Sequence, residues 1–273
     1  MAKDRRRLDV LLAERGLAAS REEAKRRVLA GEARVNGERV TKAGAQIAAD
    51  AEIELIGLRP RYASRGGFKL ERALEVFCVD PTDMVALDAG ASTGGFTDCL
   101  LQHGARLVHA VDVGYGQIAW NLRNDPRVKN YERTNVRYAT RDMFDPPPEM
   151  MTADLSFIGL TLLLPIFATL LPAGADLLAL VKPQFEAGRA QVQRGGVIRD
   201  PEVHLEVLRK VAARGATVGL TPTAVTYSPL RGPAGNIEFL MRFVRAGAGH
   251  DDGTPDSLDQ AIANVVPEAH AAI

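Results

Sequence analysis

LDAGASTGGFTDCLL, residues 87–101, is the stretch that decides the fold. An apolar run, MVALDA (84–89), carries Asp88 near its end, and Gly90, Gly94 and Gly95 crowd the turn behind it. A helical pattern, TDCLLQHG (97–104), begins at once. Glycines in such a turn let a ligand approach the backbone closely, and the helix N-terminus attracts negative groups. A second carboxylate, Asp112, closes the next apolar run, RLVHAVDVG (106–114). Placed there, it can accept hydrogens from ribose hydroxyls. The glycine spacing departs from the GxGxxG dinucleotide fingerprint. It suits a mononucleoside with a carboxylate tail, which describes S-adenosylmethionine. The candidate cofactor residues are Asp88, Gly90, Ser92, Thr93, Gly94, Gly95 and Asp112.

Working outward, FKLERALEVF (68–77) places Leu70, Leu74 and Phe77 on one helical face. Downstream, strands are expected near 127–132 and 150–155 and helices from about Tyr115 and near 158–171, followed by a strand in ADLLALV (175–181). Buried strands alternating with helices predict a mainly parallel, doubly wound α/β sheet of Rossmann-like type. TVGLTPTAVTYS (217–228) and NIEFLMRFV (236–244) read as two further strands in a hairpin-like relation. The uncharged run Leu155–Ala175 is broken by Gly159, Pro165, Pro172 and Gly174, so a helix and a strand explain it better than a bilayer span of about 20 residues.

The front of the chain has a different character. Lys+Arg and Asp+Glu both total 34, yet residues 1–72 hold 17 basic against 11 acidic residues. RRRLDVLLAERG (5–16) reads as a helix burying Leu8, Leu11 and Leu12. A second helix starts at Ser20, with Glu23 completing a capping box. It turns Val28 and Leu29 inward and repeats cations at about one-turn spacing. Asn36-Gly37 marks a hairpin, and QIAADAEIELI (46–56) reads as a strand. This small α+β module, residues 1–58, is expected to bind RNA phosphates through Arg5, Arg6, Arg7, Arg21, Lys25, Arg26 and Arg27, with Arg65 beyond it. Residues 59–65 read as a linker, 66–246 as the large domain, and 247–273 as an acidic tail with a short helix.

Candidate chemistry sits at strand ends. Lys69 opens the first large-domain helix, Asp154 and Lys182 follow directly on apolar strands, and Glu238 lies in the last strand. Charged groups in such places are costly unless they pair or act. The Asn/Asp-Pro-Pro-aromatic motif of amine methylation is replaced by Asp154-Leu155-Ser156-Phe157, without prolines. Cys78 and Cys99 read as buried filler rather than nucleophiles, and two cysteines make neither a disulfide scaffold nor a metal cluster. Phe157 could stack on a base or fill the core. The front end carries no apolar signal segment, so a cytoplasmic protein is expected.

SRGGFKLERAL (64–74), the glycine turn, AVDVGYGQIAW (110–120), LRNDPRV (122–128), ERTNVR (132–137), ADLSFIGL (153–160), LVKPQFE (180–186) and PLRGPAGNIEFL (229–240) together resemble the TlyA, or haemolysin A, family. The resemblance spans almost the whole chain. It implies an S-four-like RNA-binding domain in front of an FtsJ-like methyltransferase domain that acts on the 2′-hydroxyl of ribosomal RNA cytidines. It further implies a Lys-Asp-Lys-Glu tetrad at Lys69, Asp154, Lys182 and Glu238. In that reading Lys182 takes the hydroxyl proton, Asp154 and Glu238 orient the ammonium groups, S-adenosylmethionine donates the methyl group, and no metal is required. Ribosomal subunits are the expected partner, and no membrane is. The rivals are a non-catalytic RNA-binding assembly factor, a membrane-lysing protein and a nicotinamide-dependent oxidoreductase, the last disfavoured by the glycine spacing.

Overall fold

A computed structural model describes residues 5–18, 20–56, 61–188, 191–192, 195–247 and 256–273. The chain divides into two compact units, Met1–Arg61 with Ala119–Asn124, and Tyr62–Ile118 with Asp125–Ile273.

In the front unit, β1 (Arg5–Arg7) leads into α1 (Leu8–Glu14), then α2 (Arg21–Leu29), β2 (Ala33–Val35), β3 (Glu38–Val40), β4 (Gln46–Ala48) and β5 (Ile53–Leu55). The expected helix over 5–16 therefore starts three residues late. Arg5–Arg7 pair antiparallel with β4, although arginine is a good helix former, because ladder hydrogen bonds to a distant strand override local propensity. The expected strand over 46–56 is split by a turn closed by Ala51 N–H on the Ala48 carbonyl. Ser20 does cap α2, accepting from Glu23 N–H at 3.2 Å. Leu8, Leu11, Leu12, Ala24 and Val28 fill this small core. Leu29, expected inside, is 62% exposed on the outer face of α2.

The large unit begins earlier than the expected boundary. Of the supposed linker, residues 59 and 60 lie outside the described residues, and so does residue 58, where the front domain was expected to end. Tyr62 is buried with its hydroxyl donating to Glu71, and Ala63 N–H donates to Asp98 Oδ2 at 2.7 Å. Then follow α3 (Gly66–Phe77), β6 (Val85–Ala89), α4 (Gly95–Gln102), β7 (Leu107–Val111), the single turn α5 (Trp120–Arg123), β8 (Val128–Tyr131), β9 (Met150–Ala153), α6 (Leu164–Leu170), β10 (Asp176–Val181), α7 (Pro183–Glu186), α8 (Pro201–Ala216), β11 (Leu220–Tyr227), β12 (Phe239–Arg245) and α9 (Asp256–Ala272). Seven strands form one sheet in the order β11-β12-β10-β9-β6-β7-β8. The five from β8 to β10 are parallel, and β12 runs antiparallel to both β10 and β11. The doubly wound α/β fold is thus present. The chain leaves β6 in one direction toward β7 and β8 and returns on its other side at β9, so the crevice beside β6 is the topological switch point where such sheets bind ligands.

Several local expectations are corrected. The helix expected from Tyr115 is only α5, and the one near 158–171 shortens to α6 behind a 3₁₀ turn at Leu160–Leu162. The end of the chain is not merely an acidic tail with a short helix. Residues 248–255, which hold most of the Asp/Gly run, lie outside the described residues, but α9 is 17 residues long. Its Leu258, Ile262, Val265, Val266 and Ala269 are buried in the main core, because a helix with one apolar stripe must bury it. Cys99 is buried, whereas Cys78 is exposed as the left-handed C-cap of α3. No described helix is long and apolar enough to cross a membrane.

Candidate active site

At the carboxyl end of β6 the backbone turns sharply at Gly90, whose φ is +86°. A Cβ there would stand 2.2 Å from the Asp154 carbonyl oxygen, so only glycine lets the turn lie against the end of β9. Gly94, at φ +93°, bends the chain into α4, and Gly95 opens that helix. Ser92 and Thr93 remain exposed on the rim. Asp112, just past β7 and only partly buried, accepts Gly114 N–H at 2.6 Å through Oδ1 and Ser92 N–H at 2.8 Å through Oδ2. Each oxygen keeps a further lone pair for an external hydroxyl. A close-approach turn, a helix N-terminus and a fixed half-open carboxylate suit a nucleoside carrying a charged tail.

Asp88 lies elsewhere. It is fully enclosed, accepting from Thr97 Oγ1 at 2.7 Å and Thr152 Oγ1 at 3.1 Å. Burial pushes its carboxyl up to about 7 despite those two hydroxyls. It ties β6 to α4 and β9 from behind the turn rather than facing the open side.

The four ionisable candidates, Lys69 on α3 and the other three at strand ends, form two ion pairs. Lys182 follows β10, and its Nζ stands 2.6 Å from Asp154 Oδ1, one residue past β9. That contact is an ion pair lying outside hydrogen-bond alignment. Lys182 Nζ also donates to the Ser156 hydroxyl at 2.8 Å. On the other side, Val181 and Phe239 are the last pair of the β10–β12 ladder, and Lys182 and Glu238 are the residues next beyond it on the two chains. Glu238, completely buried, takes Lys69 of α3 on Oε2 at 2.5 Å, while its Oε1 has no hydrogen-bond partner among the described residues. Two ion pairs, Lys182–Asp154 and Lys69–Glu238, therefore sit at the ends of the neighbouring strands β9, β10 and β12, the first of them beside the Gly90 turn. Pairing offsets the cost of burying each charge.

Phe157 settles as an exposed residue rather than core filler. It is 91% exposed, holds a left-handed backbone at φ +66°, and tilts against Phe185 at 5.5 Å between ring centroids. Two contributors were not anticipated from the sequence. Neither Ser156 nor Glu186 shows periodicity or an unusual neighbour in the chain, so the sequence assigns them no role.

The candidate RNA contacts divide in two. Asp9, almost fully buried, accepts from Arg7 and Arg21, and these hydrogen bonds, Arg7 first, hold its carboxyl down at about 2. Arg6 pairs with Glu14. Arg27, expected outside, is buried with Nε 2.6 Å from Glu32. This pairing, together with burial of the side chain, removes it from the outer face. Arg5, Lys25, Arg26 and Arg65 are exposed.

The FtsJ-like methyltransferase family matches residues 62–245, and the S4 domain matches residues 6–53. YqxC of Bacillus subtilis, whose name as an rRNA methyltransferase is provisional, is 49% identical over 99% of this chain and 96% of its own. The protein named 16S/23S rRNA (cytidine-2′-O)-methyltransferase TlyA in Mycobacterium tuberculosis is 43% identical over 87% of this chain and 89% of its own. A solved structure from Streptococcus thermophilus, provisionally named a hemolysin, superposes with a TM-score of 0.75 at 44% identity, covering 99% of this chain and 98% of that one.

Proposed function

The chain belongs to the FtsJ-like methyltransferase family, and from that premise we propose that it methylates the 2′-hydroxyl of a cytidine in ribosomal RNA with S-adenosylmethionine as donor. The observation that carries this reading is the ion-paired cluster of Lys69, Asp154, Lys182 and Glu238 at the strand ends beside the Gly90 turn. When bound, S-adenosylmethionine supplies a methyl group on a positively charged sulfur.

This chain's residues do the rest. A ribose hydroxyl attacks poorly until its proton is removed or shared. Lys182 Nζ, just past the carboxyl end of β10 and beside Asp154, is the group to accept that proton. Asp154 holds the amine in place, and the Lys69–Glu238 pair stands behind it as a fixed, buried charge arrangement. Fixed groups of this kind supply rate mainly by positioning, since they need no reorganisation at the moment of reaction. Asp112 and the glycine turn hold the donor. Exposed Phe157 offers a ring against which a splayed-out base can stack. Lys25 and Arg26 of the front unit give salt-sensitive, sequence-tolerant attraction to phosphates. Ribosomal subunits are the partner class this implies, and the cytoplasm is where the reaction would take place.

The test is incorporation of labelled methyl groups into each purified ribosomal subunit, followed by mapping of alkali-resistant linkages. Lys182→Ala is expected to abolish incorporation while calorimetry finds donor binding nearly unchanged. Wild-type turnover in that variant would sink the assignment of Lys182.

A further inference from the structure

An amine that accepts a proton must aim its lone pair at the hydroxyl that gives it. For a lysine this aim is set by rotation about the last Cε–Nζ bond, which a point charge does little to resist and an aligned hydrogen bond resists well. At Lys182 the nearby Asp154 oxygen is a point charge in this sense, close but misaligned. The aligned bond goes to the Ser156 hydroxyl.

Ser156 lies in the stretch between β9 and the 3₁₀ turn at Leu160–Leu162, after Asp154, whose N–H donates to the Ala89 carbonyl at 2.9 Å, and before Gly159, whose carbonyl accepts Leu162 N–H at 3.1 Å. That stretch is also held from α7. Glu186, four residues after Lys182 and 4% exposed, accepts Leu160 N–H on Oε1 and the Thr161 hydroxyl at 3.1 Å on Oε2. Gly159 leaves room for this: a Cβ there would stand 3.1 Å from Glu186 Oε2. The Glu186 carbonyl in turn accepts Lys210 Nζ of α8 at 2.6 Å, and the Phe157–Phe185 ring contact joins the same two segments. Two segments that both carry reacting-site residues are thus cross-tied at Lys182–Ser156, Phe157–Phe185 and Glu186–Leu160/Thr161.

We propose that Ser156 and Glu186 are positioning residues for the transfer: the Ser156 hydroxyl sets the direction of the Lys182 lone pair, and the Glu186 carboxylate holds the loop that carries Ser156 at the right depth. The inference rests on Lys182 being the proton acceptor. With Lys182 in its neutral form, a proton leaves the ribose hydroxyl for Nζ, while the N–H that donates to Ser156 keeps its direction.

The experiment is single-turnover methyl transfer to ribosomal subunits purified from cells lacking this methylation, using the full chain and labelled donor. Donor affinity by calorimetry and the melting temperature are measured in parallel. Ser156→Ala is expected to slow transfer roughly 10- to 100-fold with donor affinity and melting temperature unchanged. Ser156→Thr, which keeps the hydroxyl, is expected to restore the rate to within about threefold of wild type. For Glu186, Thr161→Val removes one loop bond without opening the core, and a slowing of about threefold or more is expected. Ser156→Ala at the wild-type rate, or Ser156→Thr as slow as Ser156→Ala, overturns the Ser156 role. Thr161→Val at the wild-type rate overturns the Glu186 role. A wild-type protein that methylates neither subunit defeats the underlying reading instead, and the two failures are told apart by that control.

Discussion

Replacing Lys69 with Met keeps most of the side-chain volume and removes the charge. It strands the Glu238 carboxylate, which is completely buried, has one oxygen without a hydrogen-bond partner among the described residues, and takes an ion pair from Lys69 at 2.5 Å. Removing one partner from a buried pair costs about 3–5 kcal/mol. The Lys69 side chain keeps about a tenth of its surface exposed, so the expected loss is near the lower end, about 3 kcal/mol. Against a typical total of about 5–15 kcal/mol, urea denaturation resolves that easily. Lys69→Met/Glu238→Gln replaces the stranded charge with a neutral amide and should recover at least about 1 kcal/mol relative to the sum of the single variants. The folded fraction of Lys69→Met should also transfer methyl groups about tenfold more slowly, since the fixed charge pair behind the site is lost. Lys69→Met within about 0.5 kcal/mol of wild type, or strict additivity in the double variant, would refute the coupling.

Gly90→Ala forces a side chain into a left-handed position and against the Asp154 carbonyl. A loss of about 2–4 kcal/mol is expected, with weakened donor binding by calorimetry; unchanged denaturation would show that the turn relaxes freely. Asp88 titrates near 7 when folded and near 4 when unfolded. Its contribution to stability is therefore full below about pH 4 and is lost as pH rises to about 7. Asp88→Asn, whose amide oxygen can accept from one of the two threonine hydroxyls while its NH2 donates to the other, should lose less stability than wild type between pH 5 and pH 8, and an identical pH slope would count against a protonated Asp88. Reversing the charges of Lys25 and Arg26 should weaken RNA binding and lower the salt slope by about 1 for each lost phosphate contact. An unchanged slope would move the RNA surface elsewhere.

Some of this was legible along the chain. The glycine turn, the alternation of apolar strands with helices, the Ser20 cap and the Asn36-Gly37 hairpin are local features, set by sterics and hydrogen bonding within a few residues. The same is true of Lys182 and Asp154, whose charges directly after apolar strands mark them as paired or active. The misreadings came where a segment's fate depends on distant partners. Arg5–Arg7 suited a helix until β4 offered a ladder, and the last helix suited a tail until the main core offered a place for its stripe.

Sequence by itself determined the α/β sheet, the cofactor-type turn and the residue types available for proton transfer, because period and backbone sterics act locally. Only the tertiary structure decided which charges meet and which are sealed away. Lys69 finds Glu238 across 169 residues, Asp88 is enclosed, Arg27 is turned onto Glu32, and Ser156 and Glu186 brace the loop beside Lys182. Strand register and packing set those outcomes, and a charged or hydroxyl side chain is written with the same letter whether it faces water or a buried partner.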